Sequence, residues 1–289
     1  MLTQLKEKKK ISSKTRLENL IPEKGKRTYV AGILNITPDS FSDGGRFADT
    51  NSAFDHALQM ARDGADIIDI GGESTRPGAG PVTAEDELRR VLPVIERLKD
   101  RLKIPISIDT CKSLVAEAAI RCGASIINDI TGLKGDQEMA QVAARYGIPV
   151  VVMHMKGHPR TMQNNPRYDD LITEIIENLK ESIDIAKKAG MDEENIIIDP
   201  GIGFGKTLEH NITIIRELGR FKELGRPIMI GLSRKSFIGQ ILNRDVSGRL
   251  MGTAAAVALS ILNGADIVRV HDVKEIRDAT RITDSICRS

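Results

Sequence analysis

Aromatic side chains are scarce in this chain. It has no tryptophan, three tyrosines and six phenylalanines among 289 residues. A phenylalanine spent in a polar loop is therefore expected to touch a ligand rather than fill a core. Cysteine is scarcer still: Cys111, Cys122 and Cys287 are an odd, scattered set without metal-type spacing. They exclude a disulfide framework and a zinc site, and read as reduced thiols of a cytoplasmic protein. No apolar run reaches the roughly 18 residues of a membrane span. Excess charge of one sign is missing too, with 42 basic against 40 acidic residues and a net charge of +2. A nucleic-acid surface would need a clustered basic excess. Residues 1–26 are rich in lysine but carry no apolar h-region, so they read as a partly ordered basic arm rather than a signal peptide or anchor. No linker or composition break follows, and residues 27–289 are expected to form one domain.

Hydrophobic residues make up 40% of the chain and charged residues 28%, which are globular values. Short apolar runs recur at 29–35, 66–70, 105–109, 125–129, 149–153, 195–199, 227–230 and 266–270. Their length and near-continuous apolarity are those of buried parallel strands. Amphipathic stretches such as 84–101 and 170–189 lie between them. Turns such as Gly64-Ala65-Asp66, Gly123-Ala124-Ser125 and Gly264-Ala265-Asp266 lead into strands, with glycine where a helix C-terminus needs it. Eight strand–helix units in succession predict a (β/α)₈ TIM barrel, with a doubly wound open sheet as the alternative.

Polar residues gather at one end of these strands. Asn35, Asp69, Asp109, Asp129, Asp199 and His271 stand at or just past the C-terminal ends, the rim where barrel enzymes build their active sites. Any one of them could simply cap a helix or shape a turn; six of eight strands ending this way favours a site. The first loop, Asn35-Ile36-Thr37-Pro38-Asp39-Ser40-Phe41-Ser42-Asp43-Gly44-Gly45, is long and polar, as a mobile lid would be. The second, Gly71-Gly72-Glu73-Ser74-Thr75-Arg76-Pro77-Gly78-Ala79-Gly80-Pro81, is too rich in glycine and proline for a helix, and Arg76 in its middle can reach an anion.

The sixth strand runs into Asp199-Pro200-Gly201-Ile202-Gly203-Phe204-Gly205-Lys206. Its glycines do not follow the first strand of a dinucleotide fold and more readily let backbone approach a flat ligand. The seventh ends in Ser233-Arg234-Lys235-Ser236, where hydroxyl and basic groups suit an anion or a ring carbonyl. On the eighth, Arg269 and His271 alternate and so point the same way, which suits a diphosphate. Asp109, Asn128 and Asp199 add carboxylates and an amide near the axis, groups costly to bury without a partner. An aminopyrimidinone edge offers the N–H donors they would accept, with Lys235 donating to the ring carbonyl.

Taken together, these segments resemble the dihydropteroate synthases over nearly the whole chain from Tyr29 onward. The two long loops are the most specific part of the resemblance, and the Asp199–Phe204 and Ser233–Ser236 segments fit as well. The resemblance implies roles residue by residue. Asp109, Asn128, Asp199 and Lys235 would hold a pterin ring, with Ile130 and Met153 packed beside it. Asn35, Arg269 and His271 would hold its diphosphate, Asn35 through Mg²⁺. Thr75, Pro77, Gly203, Phe204 and Ser236 would line a p-aminobenzoate pocket, and Phe41, Asp43 and Arg76 would arrive on mobile loops. Asp109, Lys235, Arg269 and His271 would be the catalytic set. The partners implied are these small molecules and a second copy of the chain; nucleic acid and membrane are not among them.

The implied reaction displaces diphosphate from the pterin methylene with an aryl amine, a weak nucleophile. Help must then come from the leaving group, so a dissociative, SN1-like path without a covalent enzyme intermediate is expected. The benzoate is expected to bind after the pterin diphosphate, once loops 36–47 and 73–82 have ordered. Two rivals stay open at this point: a pterin-dependent methyltransferase on the same barrel, and a binding protein that has lost the chemistry.

Overall fold

A computed structural model describes residues 16–36, 45–74, 80–158 and 161–288, without the side chains of 45–49. Its strands are β1 (Tyr29–Asn35), β2 (Ile67–Gly71), β3 (Ile106–Asp109), β4 (Ile126–Asp129), β5 (Val150–Met153), β6 (Ile196–Asp199), β7 (Met229–Gly231) and β8 (Ile267–Val270). All neighbouring pairs are parallel, in the order β6-β5-β4-β3-β2-β1-β8-β7. A parallel bridge between Ile198 and Ile228 joins β6 to β7 and closes the ring. The open-sheet alternative is thereby set aside. Each strand lies within a residue or two of its expected position. Pro105, Pro149 and Pro227 stand just before β3, β5 and β7, where their carbonyls accept bonds from the neighbouring strand and no N–H is required.

The outer ring comprises α2 (Gly45–Arg62), α3 (Ala84–Leu98), α4 (Ser113–Cys122), α5 (Met139–Tyr146), α6 (Leu171–Lys188), α7 (Leu208–Arg216), α8 (Ser236–Leu242), α9 (Leu250–Leu262) and α10 (Val273–Cys287). Thr83, Asp170 and Thr207 cap α3, α6 and α7 with their side-chain oxygens. α3 ends at Leu98, three residues short of the expected end, and Gly64, Gly123 and Gly264 take the positive φ anticipated for their turns.

Alternation along the strands sorts the interior. Val30, Ile68, Ile108, Ile127, Val152, Ile198, Ile230 and Val268 face outward into the main core beneath the helices. Tyr29, Ala31, Ile67, Ile126, Val151, Ile197, Met229 and Ile267 face inward and fill the lower half of the barrel. A short helix, α1 (Leu17–Leu20), seals that floor from below: Leu17 and Ile21 are buried in the same cluster, and the Leu17 N–H donates to Asn195 Oδ1 at 2.9 Å. The C-terminal half of the stretch read as a basic arm thus contributes core. Farther along seven of the strands, the inward positions become Asp69, Asp109, Asn128, Met153, Asp199, Gly231 and Arg269; on β1 they are Ile33 and then Asn35, and together these make the rim.

Candidate active site

Arg269 organises the rim. Its Nε donates to Asp69 Oδ2 at 2.5 Å, and its Nη2 donates to Asp109 Oδ2. Asn128 Nδ2 donates to the same Asp69 oxygen at 3.1 Å. The other oxygen of Asp69 is buried with no hydrogen-bond partner among the described residues. Burial pushes the Asp109 carboxyl up; Arg269 pulls it down, and Asp69, Glu87 and Asp129 push it up further. The guanidinium of Arg269 is burdened by its own burial, but Asp69 and Asp109 outweigh that and raise its pKa, so it stays charged. A guanidinium has five N–H donors, and these two carboxylates use two of them. Arg269 can therefore hold both and still donate to an anion.

Lys235 precedes the first turn of α8 and lies with its Nζ 4.3 Å from the centre of the Phe204 ring, a cation–π geometry. Burial and then the charge of Arg269 pull its pKa down to about 8, against the opposing pull of Asp199 and Asp109. Asp199 is itself buried, which pushes its carboxyl up; the 2.7 Å bond it accepts from the Gly201 N–H works the other way. Ile130, Met153 and Phe204 form a small apolar cluster of their own above the floor, joined by Met162. His271 bonds to Ser233, Nδ1 to Oγ at 3.0 Å, and its backbone N–H donates to the same hydroxyl at 3.1 Å. Ser236 opens α8 and is exposed.

Asn35 ends β1 beside Gly71. A Cβ placed on Gly71 would sit 3.6 Å from Asp109 Oδ2 and 3.7 Å from Asn35 Oδ1, so the glycine keeps the space between these two oxygens clear. Among the described residues, no three His, Cys, Asp or Glu side chains converge on a metal position. A single amide oxygen suits Mg²⁺ that arrives on a substrate's phosphates and keeps most of its own waters.

Asp109, Asn128, Ile130, Met153, Asp199, Gly203, Phe204, Lys235, Ser236, Arg269, His271 and Asn35 thus occupy the C-terminal half of the barrel. Phe41, Asp43, Thr75, Arg76 and Pro77, with most of the two loops that carry them, lie outside the described residues. Asp129 departs from the expectation of a rim group. It is the neighbour of inward-facing Asn128, so it points outward, where it accepts bonds from Thr131 N, Thr131 Oγ1 and Leu133 N and shapes a turn. Asp69 received no role from the sequence, although it shares the inward parity of Asp109 and is the anchor that Arg269 and Asn128 share. Met162 and the buried pair His154–Lys206 carried no sequence signal, because their placement depends on how the loops after β5 and β6 fold together.

The rim of this (β/α)₈ barrel thus sets carboxylate and amide groups beside the apolar cluster of Ile130, Met153 and Phe204 and beside an arginine with donors to spare. The model of the pterin-binding enzymes matches residues 31–271. A dihydropteroate synthase of Clostridium beijerinckii is 52% identical over 265 residues, which is 91% of this chain and 96% of that protein. The structure of the Clostridium difficile dihydropteroate synthase in the presence of pteroic acid is 50% identical with a TM-score of 0.88, covering 92% of this chain and 99% of that one. The Xanthomonas albilineans dihydropteroate synthase with 4-aminobenzoic acid is 44% identical with a TM-score of 0.85, covering 90% of this chain and 93% of that one. The chain belongs to the pterin-binding enzyme family and, within it, to the dihydropteroate synthases.

Proposed function

We propose that this rim catalyses displacement of diphosphate from the methylene of a dihydropterin diphosphate by the amine of p-aminobenzoate, releasing dihydropteroate. The observation that carries this reading is the Asp69–Arg269–Asp109 bridge beside Lys235 and Phe204. It sets acceptors for a pterin edge next to a cation for a leaving anion.

In this mechanism Asp109, Asn128 and Asp199 pair with the ring edge and Lys235 donates to the ring carbonyl. Ile130 and Met153 pack against the ring. Arg269 and His271 take the diphosphate oxygens. The C–O bond to the diphosphate breaks with its electron pair leaving on oxygen, and Arg269 stabilises that charge. Positive charge then spreads from the methylene into the ring, where the Asp109 carboxylate stabilises it. The aryl amine forms the C–N bond, and its surplus proton passes to solvent or the departing diphosphate. Phe204, Gly203 and Ser236, with Thr75 and Pro77, line the benzoate side. Asn35 would hold Mg²⁺ carried by the diphosphate; such an ion, when bound, supplies further neutralisation of the leaving group.

Two wider readings accompany the reaction. Met251, Leu259 and Leu262 on α9 and Ile241 and Leu242 on α8 are exposed, and an apolar groove of about 410 Å³ runs between α7, α8 and α9. We read this face as a homodimer interface, since a patch of this kind on a soluble chain marks an interaction site. Three cysteines without disulfides favour a cytoplasmic setting. No single helix among the described residues is long and apolar enough to cross a membrane.

Turnover of the full chain with both substrates and Mg²⁺ tests the reaction. The expected result is dihydropteroate and diphosphate in equal amounts, with loss of rate on chelation. Absence of the coupled product under conditions where the pterin diphosphate binds would overturn the reading in favour of a non-catalytic binder. Light scattering at micromolar concentration tests the dimer, and a monomer mass would remove it.

A further inference from the structure

The glycine-rich segment after β6 is clamped against the segment after β5. Gly201 has φ +74°, and a Cβ there would fall 1.9 Å from the His154 carbonyl oxygen; at Gly205 the same atom would fall 2.3 Å from the Lys156 carbonyl oxygen. The two backbones therefore touch at both places, and no side chain fits between them. Between these contacts the loop carries three consecutive carbonyls, each met by a different side chain. Gln163 Nε2 donates to Gly203 O, Lys206 Nζ donates to Phe204 O at 3.1 Å, and Tyr168 Oη donates to Gly205 O at 2.8 Å. Asn211 Oδ1 accepts from the Gly203 N–H at 2.7 Å.

Lys206 is the unusual member of this set. It is only 3% exposed, and its second partner, His154 Nδ1 at 2.9 Å, is 4% exposed. Burial, with the charges of Lys206, Lys134 and Lys156, pulls the His154 imidazole down to about 2. The ring is therefore neutral, and with its proton on Nε2 it presents Nδ1 as an acceptor. Burial of an amine is expensive unless it is fully hydrogen-bonded, and a backbone carbonyl could have been satisfied by water. The arrangement holds one residue twice: Lys206 grips the Phe204 backbone from inside the protein, and Lys235 lies over the Phe204 ring at 4.3 Å.

We infer that Lys206, oriented by His154, is a positioning residue for the second substrate: it fixes the Phe204 backbone and with it the aromatic wall on which Lys235 rests. The inference depends on the reading of Phe204 as a wall of the benzoate pocket. Pterin binding should depend on it less strongly, because the Asp199 carboxylate is hydrogen-bonded by the Gly201 N–H and feels Lys206 only through its charge.

Steady-state kinetics of the full chain, varying each substrate in turn, separates the possibilities. Lys206→Met should raise KM for p-aminobenzoate about tenfold, while KM for the pterin diphosphate stays within about twofold and kcat within about threefold. A lysine that is merely part of the core would move neither KM in the folded enzyme. Should Lys206→Met fail to fold, His154→Leu removes one of the two partners of Lys206 and keeps its bond to Phe204; the same split is expected at about threefold. Phe204→Ala serves as the reference. If it raises KM for p-aminobenzoate and the Lys206 or His154 variant leaves the ratio of the two KM values unchanged, the positioning role is overturned. If Phe204→Ala itself leaves KM for p-aminobenzoate unchanged, the benzoate-wall reading falls, and the inference with it.

Discussion

The same strands build two interiors, one residue pair apart. At the floor, Ile67, Ile126, Val151, Ile197 and Ile267 pack against one another and against Leu17 and Ile21 from α1. At the rim, the next inward positions are Asp69, Asn128, Met153, Asp199 and Arg269. The floor is stabilised by apolar burial, at about 25 cal/mol per Å² removed from water. The rim draws little stability from its charges, since desolvation offsets much of the attraction between buried ions; one oxygen of Asp69 lacks a partner among the described residues. The contrast teaches that stability and chemistry are separated along each strand rather than between strands. Substitutions should therefore divide cleanly: rim changes should remove activity, and floor changes should remove stability.

The largest effect is expected for Asp109→Asn. It should lower kcat/KM at least 100-fold, about 2.7 kcal/mol of lost transition-state stabilisation, while thermal denaturation shifts by only a few degrees. Comparable losses in stability and activity would break the division. Ile197→Ala should do the reverse, costing about 2–5 kcal/mol in denaturant unfolding with kcat/KM of the folded enzyme within about twofold of the parent.

Lys235 sharpens the comparison through pH. Its pKa lies at about 8, below the usual lysine value of 10.5. Above about pH 8 the folded protein gives up a proton that the unfolded chain retains up to about 10.5, so this residue's contribution to stability rises with pH across that window. Activity should fall across the same window, because the neutral amine no longer supplies the charge the site uses. Opposite slopes in a pH series of kcat/KM and of unfolding midpoints are the expected signature, and Lys235→Arg should move the alkaline fall in kcat/KM upward. Lys235→Ala should reduce activity well beyond threefold in a folded protein; a smaller loss would remove Lys235 from the ring site. The smallest effect belongs to Ser236→Ala, where loss of one neutral hydrogen bond should raise KM for p-aminobenzoate about threefold and leave kcat unchanged.

Much of this division was legible in the residues. The apolar runs located all eight strands, and the polar residues at their ends marked the rim. Asn128 and Asp129 show where the reading reached its limit. They are adjacent and both polar, and only the register that puts Ile126 on the floor decides that Asn128 faces inward while Asp129 caps a turn. Asp69 was visible as a strand-end carboxylate, yet its service to Arg269 depends on β8 and β2 both flanking β1, which is a property of the closed ring. Lys206 gave no signal, because a lysine after a glycine run is ordinarily solvated. Its burial follows from backbone contacts at Gly201 and Gly205 that the sequence permits without announcing.

The helix that seals the floor has a consequence for traffic. With Leu17 and Ile21 plugging one end, the barrel is a cup and not a tunnel. If the rim is the site proposed above, both substrates enter and both products leave over the same lip. On the proposed reaction, a departing diphosphate and an arriving pterin diphosphate would compete for Arg269, and departing dihydropteroate would block the benzoate until it clears. Each product should therefore act as an inhibitor of the next catalytic cycle.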